Sequence, residues 1–517
     1  MGATENISTL YRARSPVRIS YNGSYEDLRV AYENITAEID KLPEGPEIGA
    51  LFDFDGTVIA GYSVFAFFEE QIRRGHMSPR DFVEFLSVIA SFGLGILGYP
   101  ALMLTASQFL RGVREESYAE FGEEVFRSHI AQQIYPETRA LVEAHLRKGH
   151  TVAIISSATP YQVAPAARSL DIDNLLCTNL LVEDGVFTGA VKRPICFGPG
   201  KVIAAESLVE KFGVDLEKSF FYSDSTDDIA LLNHVGNPRP LNPSPRLRSI
   251  AEKRGWPMRR FGSRGRPMPS DILRSAMVPA SLMGSFLAGL PMWALTGSKR
   301  DALNFSMSVF ADTASALIGL HLNIEGEHHL WSHRPAVFVF NHQSNVDMVI
   351  LSRLLRRDIT GVGKKELGHI PLIGRILEFS GIVLIDRKDT EKAIATMNTL
   401  VDLMQIEGKS VCMSPEGTRS LTPKLAPFKK GAFHLAMQAG VPVVPIVIRN
   451  SSDVNPKGSA IYHPATVDVE VLPPVDTSAW SVETIDEHVD AVHQMFLHAL
   501  EQDRPRRTPK SLKVVKK

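Results

Sequence analysis

Residues 48–57 read IGALFDFDGT, an apolar run that ends in two aspartates, Asp53 and Asp55, followed by a glycine. Such a run predicts a buried β-strand followed by a turn. Since side chains alternate along a strand, the two carboxylates project to the same side. Similar apolar runs recur at 151–157 (TVAIISS) and 220–225 (FFYSDS), separated by stretches of helical period. This alternation predicts a parallel sheet with helices on both faces, the α/β fold class.

The composition of the chain excludes several protein classes. Of its 517 residues, 44% are hydrophobic, which is enough for about two to four domains with real cores and excludes disorder for most of the chain. The 56 Lys and Arg residues nearly balance the 58 Asp and Glu residues, so we expect no nucleic-acid partner. Cys177, Cys196 and Cys412 are too widely spaced for a disulfide scaffold or a zinc cluster, which favours a reducing environment. The first residues lack the apolar segment of a signal peptide, so we do not expect secretion.

Shifts in composition predict the domain organisation. The stretch Gly255–Pro269 is rich in Gly, Pro and Arg and is the best linker candidate, and apolar runs of strand type resume near Pro335. The predicted regions are a polar leader or docking helix at 1–45, a first α/β domain at 46–260, a linker with membrane-associating helices at 261–330, a second α/β domain at 331–500 and a basic tail at 501–517.

Two stretches, Phe85–Leu110 and Ser275–Ser298, contain no charged residue. At about 1.5 Å per residue, a helix over either one could span a hydrocarbon core of about 30 Å. Both contain Gly and Pro residues, so buried helices and helices that dip into one leaflet are alternatives. The second stretch contains Trp293 and is flanked by Arg274 and Lys299, which favours contact with a membrane surface. The basic tail either adds attraction to anionic headgroups or is a solvated tail that keeps the protein soluble.

Four pieces of the first α/β region have the chemistry of a phosphate site. Asp53 and Asp55 offer oxygen ligands that suit Mg²⁺ and a carboxylate nucleophile for phosphoryl transfer. Ser156 ends the second apolar run, Lys201 begins a predicted helix, and the run 224–228 (DSTDD) follows the third strand. Each piece alone has an ordinary explanation, such as a surface turn or a solvated lysine. All four in this order at strand ends indicate a site, because ligands of open α/β sheets bind outside the carboxyl ends of the strands.

Over about Ile48 to Arg260, this order of motifs resembles the haloacid dehalogenase superfamily of phosphatases, in the branch that contains phosphoserine phosphatase. The resemblance implies a Rossmann-like core, a helical cap at about 61–148 and a bound Mg²⁺. It also implies roles for individual residues: Asp53 as the nucleophile, Asp55 as the general acid/base, Ser156 and Lys201 as phosphate ligands, and Asp53, the Asp55 carbonyl and Asp224 around the metal, with Asp228 as a further acidic group there.

One position departs from the pattern of that branch. Phosphoserine phosphatases of this kind carry a glutamate nine residues after the nucleophile, which helps to recognise the amino-acid head, and the position is Tyr62 here. Together with the uncharged run Phe85–Leu110, this favours a lipid or other apolar phosphomonoester as the substrate. Two alternatives remain open, namely phosphoserine as the substrate and a non-catalytic domain that binds phosphate or tethers the enzyme.

A second site is indicated by the run 341–347 (NHQSNVD), which follows the apolar run 337–340 (VFVF). His342 lies at a strand-to-helix turn, with Asp347 about one helical turn further on. Such a pair can act as a base and its orienting partner, because the carboxylate selects the imidazole tautomer. A structural interpretation also exists, since Ser344 and Asp347 match a capping box at a helix start.

Two arginines near strand ends strengthen the functional interpretation. Arg387 ends the run 381–387 (GIVLIDR), and Arg419 lies in the turn 414–420 (SPEGTRS). A guanidinium group pairs bidentately with phosphate oxygens, so two of them near a histidine base would form a phosphate clamp. For either arginine alone, a surface salt bridge is the ordinary alternative.

The motifs NHxxxxD, GIVLIDR, PEGTRS and VPVVPI, in this order, resemble the glycerolipid acyltransferases over about Asp301 to Leu500. The resemblance is greatest to the 1-acylglycerol-3-phosphate acyltransferases, and KKEL at 364–367 is similar to another motif of that family. The resemblance implies a direct attack of the acceptor hydroxyl on an acyl thioester, without a protein nucleophile. The implied roles are His342 as the base, Asp347 as its partner, Glu416, Gly417 and Arg419 as ligands of the glycerol phosphate, and Arg387 and Lys365 as assisting groups.

Together the two sets of motifs predict a bifunctional enzyme. We expect it to acylate the sn-2 hydroxyl of lysophosphatidate, with acyl-CoA or acyl carrier protein as the donor, and to hydrolyse a phosphomonoester with Mg²⁺. The expected partners are the lysophospholipid, the acyl thioester and a membrane surface. The expected location is the cytoplasmic face of the cell membrane.

Overall fold

The computed structural model divides the chain into two compact units, residues 1–265 with 508–517, and residues 266–507. The structure describes residues 35–75, 83, 87, 88, 90, 91, 99–265, 267–369, 374, 382–385, 390–502, 513 and 514. The first 34 residues of the predicted leader, most of the uncharged run before residue 99, and Arg387 therefore lie outside the described residues.

The first unit is built on a parallel β-sheet. Its strands are β1 (Ile48–Phe52), β2 (Thr151–Ser156), β3 (Asn174–Cys177), β4 (Leu180–Glu183), β5 (Val186–Val191), β6 (Asp215–Ser223) and β7 (Asn237–Pro240). Within the described residues, the sheet has the order β3, β2, β1, β6, β7 with parallel pairing throughout, and β4 and β5 form a separate antiparallel hairpin. Residues 513–514 add a short parallel strand beside β3.

Helices cover both faces of this sheet, as its fully buried central strand requires. Successive residues of β1 enter different cores, with Ala50 and Phe52 in one and Leu51 in the other. The α-helices of the unit are Ser63–Arg73, Tyr99–Gln108, Glu115–Val125, Pro136–Arg147, Pro160–Ser169, Pro199–Phe212, Ile229–Leu232 and Pro245–Arg254, with a π-helical turn at Phe126–Ile130 and 3₁₀ turns at Ala131–Gln133 and Thr226–Asp228.

The helices between β1 and β2 pack in two ways. The last of them, Pro136–Arg147, lies against the sheet, since its His145 ring contacts the ring of Tyr222 in β6. The region for which the sequence indicates a cap, about residues 61–148, thus includes one helix, Pro136–Arg147, that packs against the sheet.

The described end of the predicted leader docks on the first unit. Residues 35–40 are helical, and Ile35 and Ile39 are buried in the core that contains Phe52. On the same helical turn, Glu38 forms an ion pair with Arg239 of β7. Apolar burial and one ion pair thus hold this segment against the sheet.

The second unit has a mixed sheet. Its strands are β8 (Leu320–Glu325), β9 (Val337–Phe340), β10 (Ile359–Lys364), β11 (Val383–Ile385), β12 (Ser410–Met413), β13 (Val443–Ile448) and β14 (Ala465–Val471). Among the described strands the order is β11, β10, β12, β9, β13, β14, β8, and β13 with β14 is the antiparallel pair. The central strand β9 is buried at all four residues, so the chain emerges from the core at its carboxyl end.

The helices of the second unit include two long ones that precede the sheet. The helices are Pro269–Thr296, Lys299–Ile318, His329–Ser332, Asp347–Leu355, Thr390–Gln405, Gly431–Ala439, Ser451–Val454 and Ile485–Ala499, with a 3₁₀ turn at Lys365–His369.

In the helix Pro269–Thr296, the distribution of buried and exposed side chains is the reverse of the one usual in soluble proteins. The buried residues of this helix are mostly small or polar, whereas most of its large apolar residues are exposed, and Leu282 is half-buried against the core. A Cβ on Gly289 would lie 2.1 Å from Ser306 Oγ, so this helix and Lys299–Ile318 approach each other closely. Within the described residues it is the one helix long and apolar enough to cross a membrane. The buried residues are Asp271, Ser275, Val278, Ser285 and Gly289, and the exposed ones include Ile272, Leu273, Met277, Leu287, Leu290, Trp293 and Leu295.

The α/β fold class predicted for both halves of the chain is confirmed, including the Rossmann-like parallel sheet of the first unit. The apolar runs become central strands because each is buried on both faces by helices. The two candidate sites follow β1 and β9, one in each unit.

Candidate functional sites

The first site lies at the carboxyl edge of the first sheet. Because β2, β1 and β6 are adjacent and parallel, the residues at their carboxyl ends, Ser156, Asp53 and Asp224, are brought together. The turn after β1 passes through Gly56, whose φ of +77° favours glycine. A Cβ on Gly56 would lie 2.3 Å from Asp224 Oδ2, so the Asp224 carboxylate lies directly over this turn.

Lys201 connects two of the predicted site residues. It is buried in the first turn of the helix Pro199–Phe212, and its Nζ donates to Asp53 Oδ1 and to Asp228 Oδ2, each at 2.8 Å. Asp228 Oδ2 also accepts from Ser223 Oγ at 2.6 Å. Burial alone would lower the pKa of Lys201, but Asp228 and Asp53 raise it above its ordinary value. Lys201 therefore stays charged beside the predicted nucleophile.

The carboxylates of this site are electrostatically crowded. Burial, with a further contribution from Asp228, raises the pKa of Asp53 to about 7 although Lys201 opposes the shift. Burial also raises the pKa of Asp55 to about 6. Burial and the neighbouring Asp53 and Asp228 raise the pKa of Asp224 well above its ordinary value. A divalent cation at this edge would relieve the cost of ionising these groups together.

The residues present fit Mg²⁺. No three His, Cys, Asp or Glu side chains in the described part of the chain converge as a ready-made metal centre. The ligand set implied for this site needs only two carboxylates, from Asp53 and Asp224, and the backbone carbonyl oxygen of Asp55. Asp228 is occupied by Lys201 and Ser223, which suits it better to hold the lysine than to bind the metal. Such oxygen ligands are the ones that Mg²⁺ prefers, with water completing its shell.

The general acid/base candidate is held by a residue that the sequence motifs did not include. Both carboxylate oxygens of Asp55 accept hydrogen bonds from Ser63, the first residue of the cap helix Ser63–Arg73. Gln162 in turn donates to Ser63 Oγ at 3.1 Å. No local spacing marks these residues, because the contacts join three separate elements.

Two other predicted positions border this site. Ser156 is buried at the end of β2, and its Oγ accepts the N–H of Ala158 at 3.1 Å, which leaves the hydroxyl proton for a phosphate oxygen. Tyr62 is 51% exposed and packs edge to face on Phe65. Burial, Asp224 and Asp55 raise the pKa of the Tyr62 phenol, so the tyrosine stays neutral near the carboxylates.

The second site begins directly after β9. His342 Nδ1 lies 2.7 Å from Asp347 Oδ2, and the same oxygen accepts the N–H groups of Gln343 and Ser344 at 2.8 and 2.9 Å. Asp347 is buried at the start of the helix Asp347–Leu355, where the helix dipole also favours an anion. The carboxylate thus orders the turn and orients the imidazole, and Nε2 is the nitrogen left to accept a proton.

Both carboxylate oxygens of Glu416 are already hydrogen-bonded to groups of the protein. The residue is 4% exposed, and its Oε1 accepts the N–H of His342 at 2.7 Å. Its Oε2 accepts from Ser420 Oγ at 2.8 Å and from the N–H of Ala426 at 3.0 Å. Burial raises the pKa of Glu416, whereas these three bonds act in the opposite direction. The carboxylate therefore joins the turn that carries His342 to the loop that carries Arg419.

The cations of the second site surround this loop. Arg419 Nη1 donates to Asn345 Oδ1 at 2.7 Å, which places the guanidinium beside the turn of His342. Gly417 has a φ of +74°, and a Cβ there would lie 3.0 Å from Lys429 Nζ. Lys457 Nζ donates to the carbonyl of Arg419 at 2.6 Å. The two lysines were not singled out from the sequence, because they belong to later loops and match no spacing rule.

The structure describes one of the two remaining predicted ligands, Lys365. Lys365 is exposed and begins the 3₁₀ turn after β10. Arg387 lies outside the described residues. The described contacts therefore bring together His342, Asp347, Glu416 and Arg419.

An apolar cleft lies between the helix Lys299–Ile318 and the strands β10 and β12. Its lining includes Leu303 and Met307 of that helix, Leu351, and Cys412 of β12. Met348, which also lines the cleft, directly follows Asp347 in the chain. The lining also includes the charged residues Arg300, Arg356, Arg357, Asp358 and Lys409, so charged groups border its apolar wall.

Comparisons with known proteins divide the chain in the same way. A family model described as haloacid dehalogenase-like hydrolase matches residues 50–233, and one described as acyltransferase matches residues 321–449. A 1-acyl-sn-glycerol-3-phosphate acyltransferase of Saccharomyces cerevisiae is 30% identical over 235 residues, which cover 44% of this chain and 77% of the yeast protein.

Two further relatives match one unit each. A 1-acyl-sn-glycerol-3-phosphate acyltransferase of Limnanthes alba is 34% identical over 184 residues, 36% of this chain and 65% of that protein, which is just under two thirds of its length. The phosphoserine phosphatase SerB1 of Mycobacterium tuberculosis is 36% identical over 219 residues, 41% of this chain and 70% of that protein.

Proposed function

Because the chain belongs to the haloacid dehalogenase-like hydrolases through its first unit and to the acyltransferase family through its second, we propose that it is a bifunctional enzyme of glycerolipid metabolism. The second unit acylates the sn-2 hydroxyl of 1-acylglycerol-3-phosphate to give phosphatidate. The first unit hydrolyses a phosphomonoester with Mg²⁺. The observation that carries the acyltransferase activity is the 2.7 Å contact between His342 Nδ1 and Asp347 Oδ2. The observation that carries the hydrolase activity is the Lys201 side chain that bridges Asp53 and Asp228.

In the acyl transfer, His342 acts as the general base. Its Nε2 takes the proton of the acceptor hydroxyl while the oxygen bonds to the thioester carbonyl carbon. The carbon–sulfur bond then breaks, and the proton on Nε2 passes to the leaving thiolate. Asp347 stabilises the imidazolium that exists between these steps. Arg419 and Lys429, beside the same turn, bind the phosphate of the acceptor.

In the hydrolysis, the carboxylate of Asp53 attacks phosphorus, and the bond from phosphorus to the leaving oxygen breaks as Asp55 gives that oxygen a proton. Asp55 then takes a proton from water, which attacks the aspartyl-phosphate and releases phosphate. Lys201 and Ser156 hold the phosphate oxygens throughout. Mg²⁺, when bound by Asp53, Asp224 and the Asp55 carbonyl, supplies positive charge to the transferring group.

We assign a lipid phosphomonoester to the hydrolase in preference to phosphoserine. The ammonium group of phosphoserine requires an acidic partner. Phosphoserine enzymes of this branch carry a glutamate nine residues after the nucleophile, and this chain has Tyr62 at that position. The side chains of Tyr62 and Phe65 are 51% and 44% exposed at the start of the cap helix, so they offer apolar surface beside the carboxylates. Lysophosphatidate and phosphatidate both have the matching chemistry, a phosphate next to an apolar chain.

We also propose that the second unit acts at the cytoplasmic face of the cell membrane. The outward apolar side chains of Pro269–Thr296, such as Leu287, Leu290 and Leu295, would lose contact with water there. Small and polar residues are buried within the unit instead, such as Gly289 against the neighbouring helix and Ser275 against Tyr462, which is the pattern of helices that contact lipid. An acceptor lipid would then reach His342 without leaving the membrane. The acyl donor is acyl-CoA or acyl carrier protein.

The experiment that tests these assignments uses the purified full-length protein in phospholipid vesicles with Mg²⁺. Lysophosphatidate, phosphatidate and phosphoserine are offered with and without an acyl thioester, and the products are identified by mass spectrometry. We expect acylation of lysophosphatidate and release of phosphate from a lipid phosphomonoester, with only the release lost after chelation. Preference for phosphoserine would overturn the lipid assignment. No hydrolysis of any phosphomonoester would make the first unit a binding or tethering module.

A further inference from the structure

The contacts of Asp55 attach the catalytic turn to the cap. The backbone N–H of Ser63 donates to Asp55 Oδ1 at 2.6 Å, and the hydroxyl of Ser63 donates to Asp55 Oδ2 at 3.2 Å. Ser63 is fully buried and is the first residue of the cap helix Ser63–Arg73. One residue of the cap therefore determines the orientation of both carboxylate oxygens.

Gln162 determines which way the Ser63 hydroxyl points. The Oε1 of Gln162 accepts from the N–H and from Oγ1 of Thr159, both at 2.9 Å. The amide nitrogen is thereby turned toward Ser63 and donates to its Oγ at 3.1 Å. Because Ser63 Oγ accepts from Gln162, its own proton is directed at Asp55. Gln162 is buried at the start of the helix Pro160–Ser169, which belongs to the sheet layer and not to the cap.

We propose that Ser63 and Gln162 are positioning residues that align Asp55 for proton transfer to the leaving oxygen only while the start of the cap helix is seated on the sheet. This inference rests on the proposed role of Asp55 in phosphomonoester hydrolysis. In the step concerned, an oxygen of Asp53 bonds to phosphorus, the phosphorus–oxygen bond of the substrate breaks, and the proton of Asp55 goes to the leaving oxygen. Seating of the cap helix and alignment of the acid are therefore one event.

Alignment of Asp55 by Ser63 and Gln162 has a kinetic consequence that a purely structural role of these residues lacks. An alkoxide is a poor leaving group and needs the proton, whereas p-nitrophenolate leaves without it. Loss of the alignment should therefore slow the cleavage of an alkyl phosphate more than that of p-nitrophenyl phosphate. The ratio of the two kcat/KM values isolates this effect, because kcat/KM reports the steps up to departure of the leaving group.

The test uses the full-length protein with Mg²⁺, and lysophosphatidate and p-nitrophenyl phosphate as substrates. We expect Ser63→Ala to lower kcat/KM for lysophosphatidate at least about tenfold more than for p-nitrophenyl phosphate. Ser63→Thr retains the hydroxyl and should restore most of the ratio. Gln162→Ala should change the ratio in the same direction, and the double variant should be no worse than Ser63→Ala, because the two residues act through one contact. Ser128→Ala is the matched control, since the hydroxyl of this cap serine bonds to the Glu124 carbonyl at 2.8 Å.

The outcomes separate this inference from the proposed function. If the wild type cleaves both substrates and Ser63→Ala slows both by the same factor, the positioning role is overturned while the hydrolase assignment stands. If Gln162→Ala adds its full effect to that of Ser63→Ala, the shared contact is overturned. If the wild type cleaves neither substrate, the proposed hydrolase function fails and the inference fails with it.

Discussion

The two sites orient their proton-transferring groups in contrasting ways. His342 is oriented by Asp347, five residues further along the chain and part of the same strand-to-helix turn. Asp55 is oriented by Ser63 in the cap helix and, through it, by Gln162, which is 99 residues further on than Ser63. A partner within one turn leaves a motif in the sequence. A partner on another element leaves none, although the bond from the Ser63 N–H to Asp55 Oδ1, at 2.6 Å, is as short as the 2.7 Å contact between His342 and Asp347.

The electrostatics of the sites differ in the same way. In the first unit, burial raises the pKa values of Asp53, Asp55 and Asp224, so the site is built to receive positive charge. In the second unit, the buried carboxylate of Asp347 accepts from two backbone N–H groups and contacts His342 through Oδ2 alone, and its Oδ1 has no hydrogen-bond partner among the described residues. We therefore expect the hydrolase to require a divalent cation and the acyltransferase to function without one.

The largest expected effect separates the two sites completely. Asp53→Asn replaces the proposed nucleophile by an amide, which cannot attack phosphorus, so hydrolysis should fall on the order of 10⁴-fold or more. Acyl transfer should be unchanged, because no step of it uses Asp53. Both activities are measured on one preparation by phosphate release and lipid mass spectrometry. Asp215→Asn, at the opposite end of β6, serves as the control, and hydrolysis retained by Asp53→Asn would refute the nucleophile.

The reciprocal substitution should separate the sites in the other direction. His342→Ala removes the general base, so acyl transfer should fall about 10²- to 10⁴-fold while hydrolysis is retained. The rate of phosphatidate formation measures the effect. His321→Ala, an exposed histidine in β8, controls for loss of an imidazole elsewhere in the unit. Acylation by His342→Ala at the wild-type rate would show that another group is the base.

A smaller effect distinguishes scaffolding from substrate binding at Glu416. Glu416→Gln keeps the size of the side chain but weakens charge-assisted bonds to His342 and Ser420, each worth about 1.5–3 kcal/mol. We expect kcat to fall roughly 10- to 100-fold with little change in KM for the acceptor. Ser420→Ala removes one donor and should have a smaller effect of the same kind. A rise in acceptor KM at unchanged kcat would instead support the role that the family resemblance implies.

Arg419 should show the opposite kinetic pattern. Arg419→Ala removes a proposed phosphate ligand beside Asn345, so KM for lysophosphatidate should rise about tenfold, while KM for the acyl thioester changes little. Arg419→Lys retains the charge without the bidentate geometry, so its KM for lysophosphatidate should lie between those of the wild type and Arg419→Ala. Steady-state kinetics with each substrate varied in turn provide the measurement. Equal changes for both substrates would indicate a folding role.

The smallest expected effect is on the pH dependence of the free energy of unfolding of the first unit, through His145. His145 bonds to His150 at 2.8 Å and to the Tyr222 hydroxyl at 2.9 Å. Burial and His150 lower the pKa of His145 from 6.5 to about 3. Between these values the unfolded chain binds a proton that the folded chain does not, so stability is full above about pH 6.5 and is lost as the pH falls toward 3.

A comparison with His145→Gln isolates that contribution. The variant does not titrate at this position, and the carboxylates of the site titrate equally in both proteins. Between pH 7 and pH 5, the wild type should lose about 2 kcal/mol more of its free energy of unfolding than the variant. The free energy of unfolding is measured by thermal unfolding at each pH. The transition that coincides with loss of hydrolase activity is the one that belongs to the first unit. Equal losses would show that His145 is accessible to protons in the folded state.

Much of the fold and part of each site could be predicted from the sequence. Apolar runs such as 48–52 and 337–340 became central strands at the predicted positions, because a strand buried on both faces needs apolar residues at every position. Asp53, Lys201 and Asp228 are joined by direct hydrogen bonds, and so are His342 and Asp347. Their placement at strand ends was recognisable because carboxyl ends of parallel strands share one edge.

The sequence by itself determined the two α/β units and the order of the two sets of motifs, because strand and helix periods relate residues only a few positions apart. Only the tertiary structure decided that Ser63 and Gln162 orient Asp55, that Glu416 braces the turn of His342, and that Lys429 lies over Gly417. These contacts form when packed elements bring distant segments together. Their energies depend on distance and burial, and spacing along the chain encodes neither.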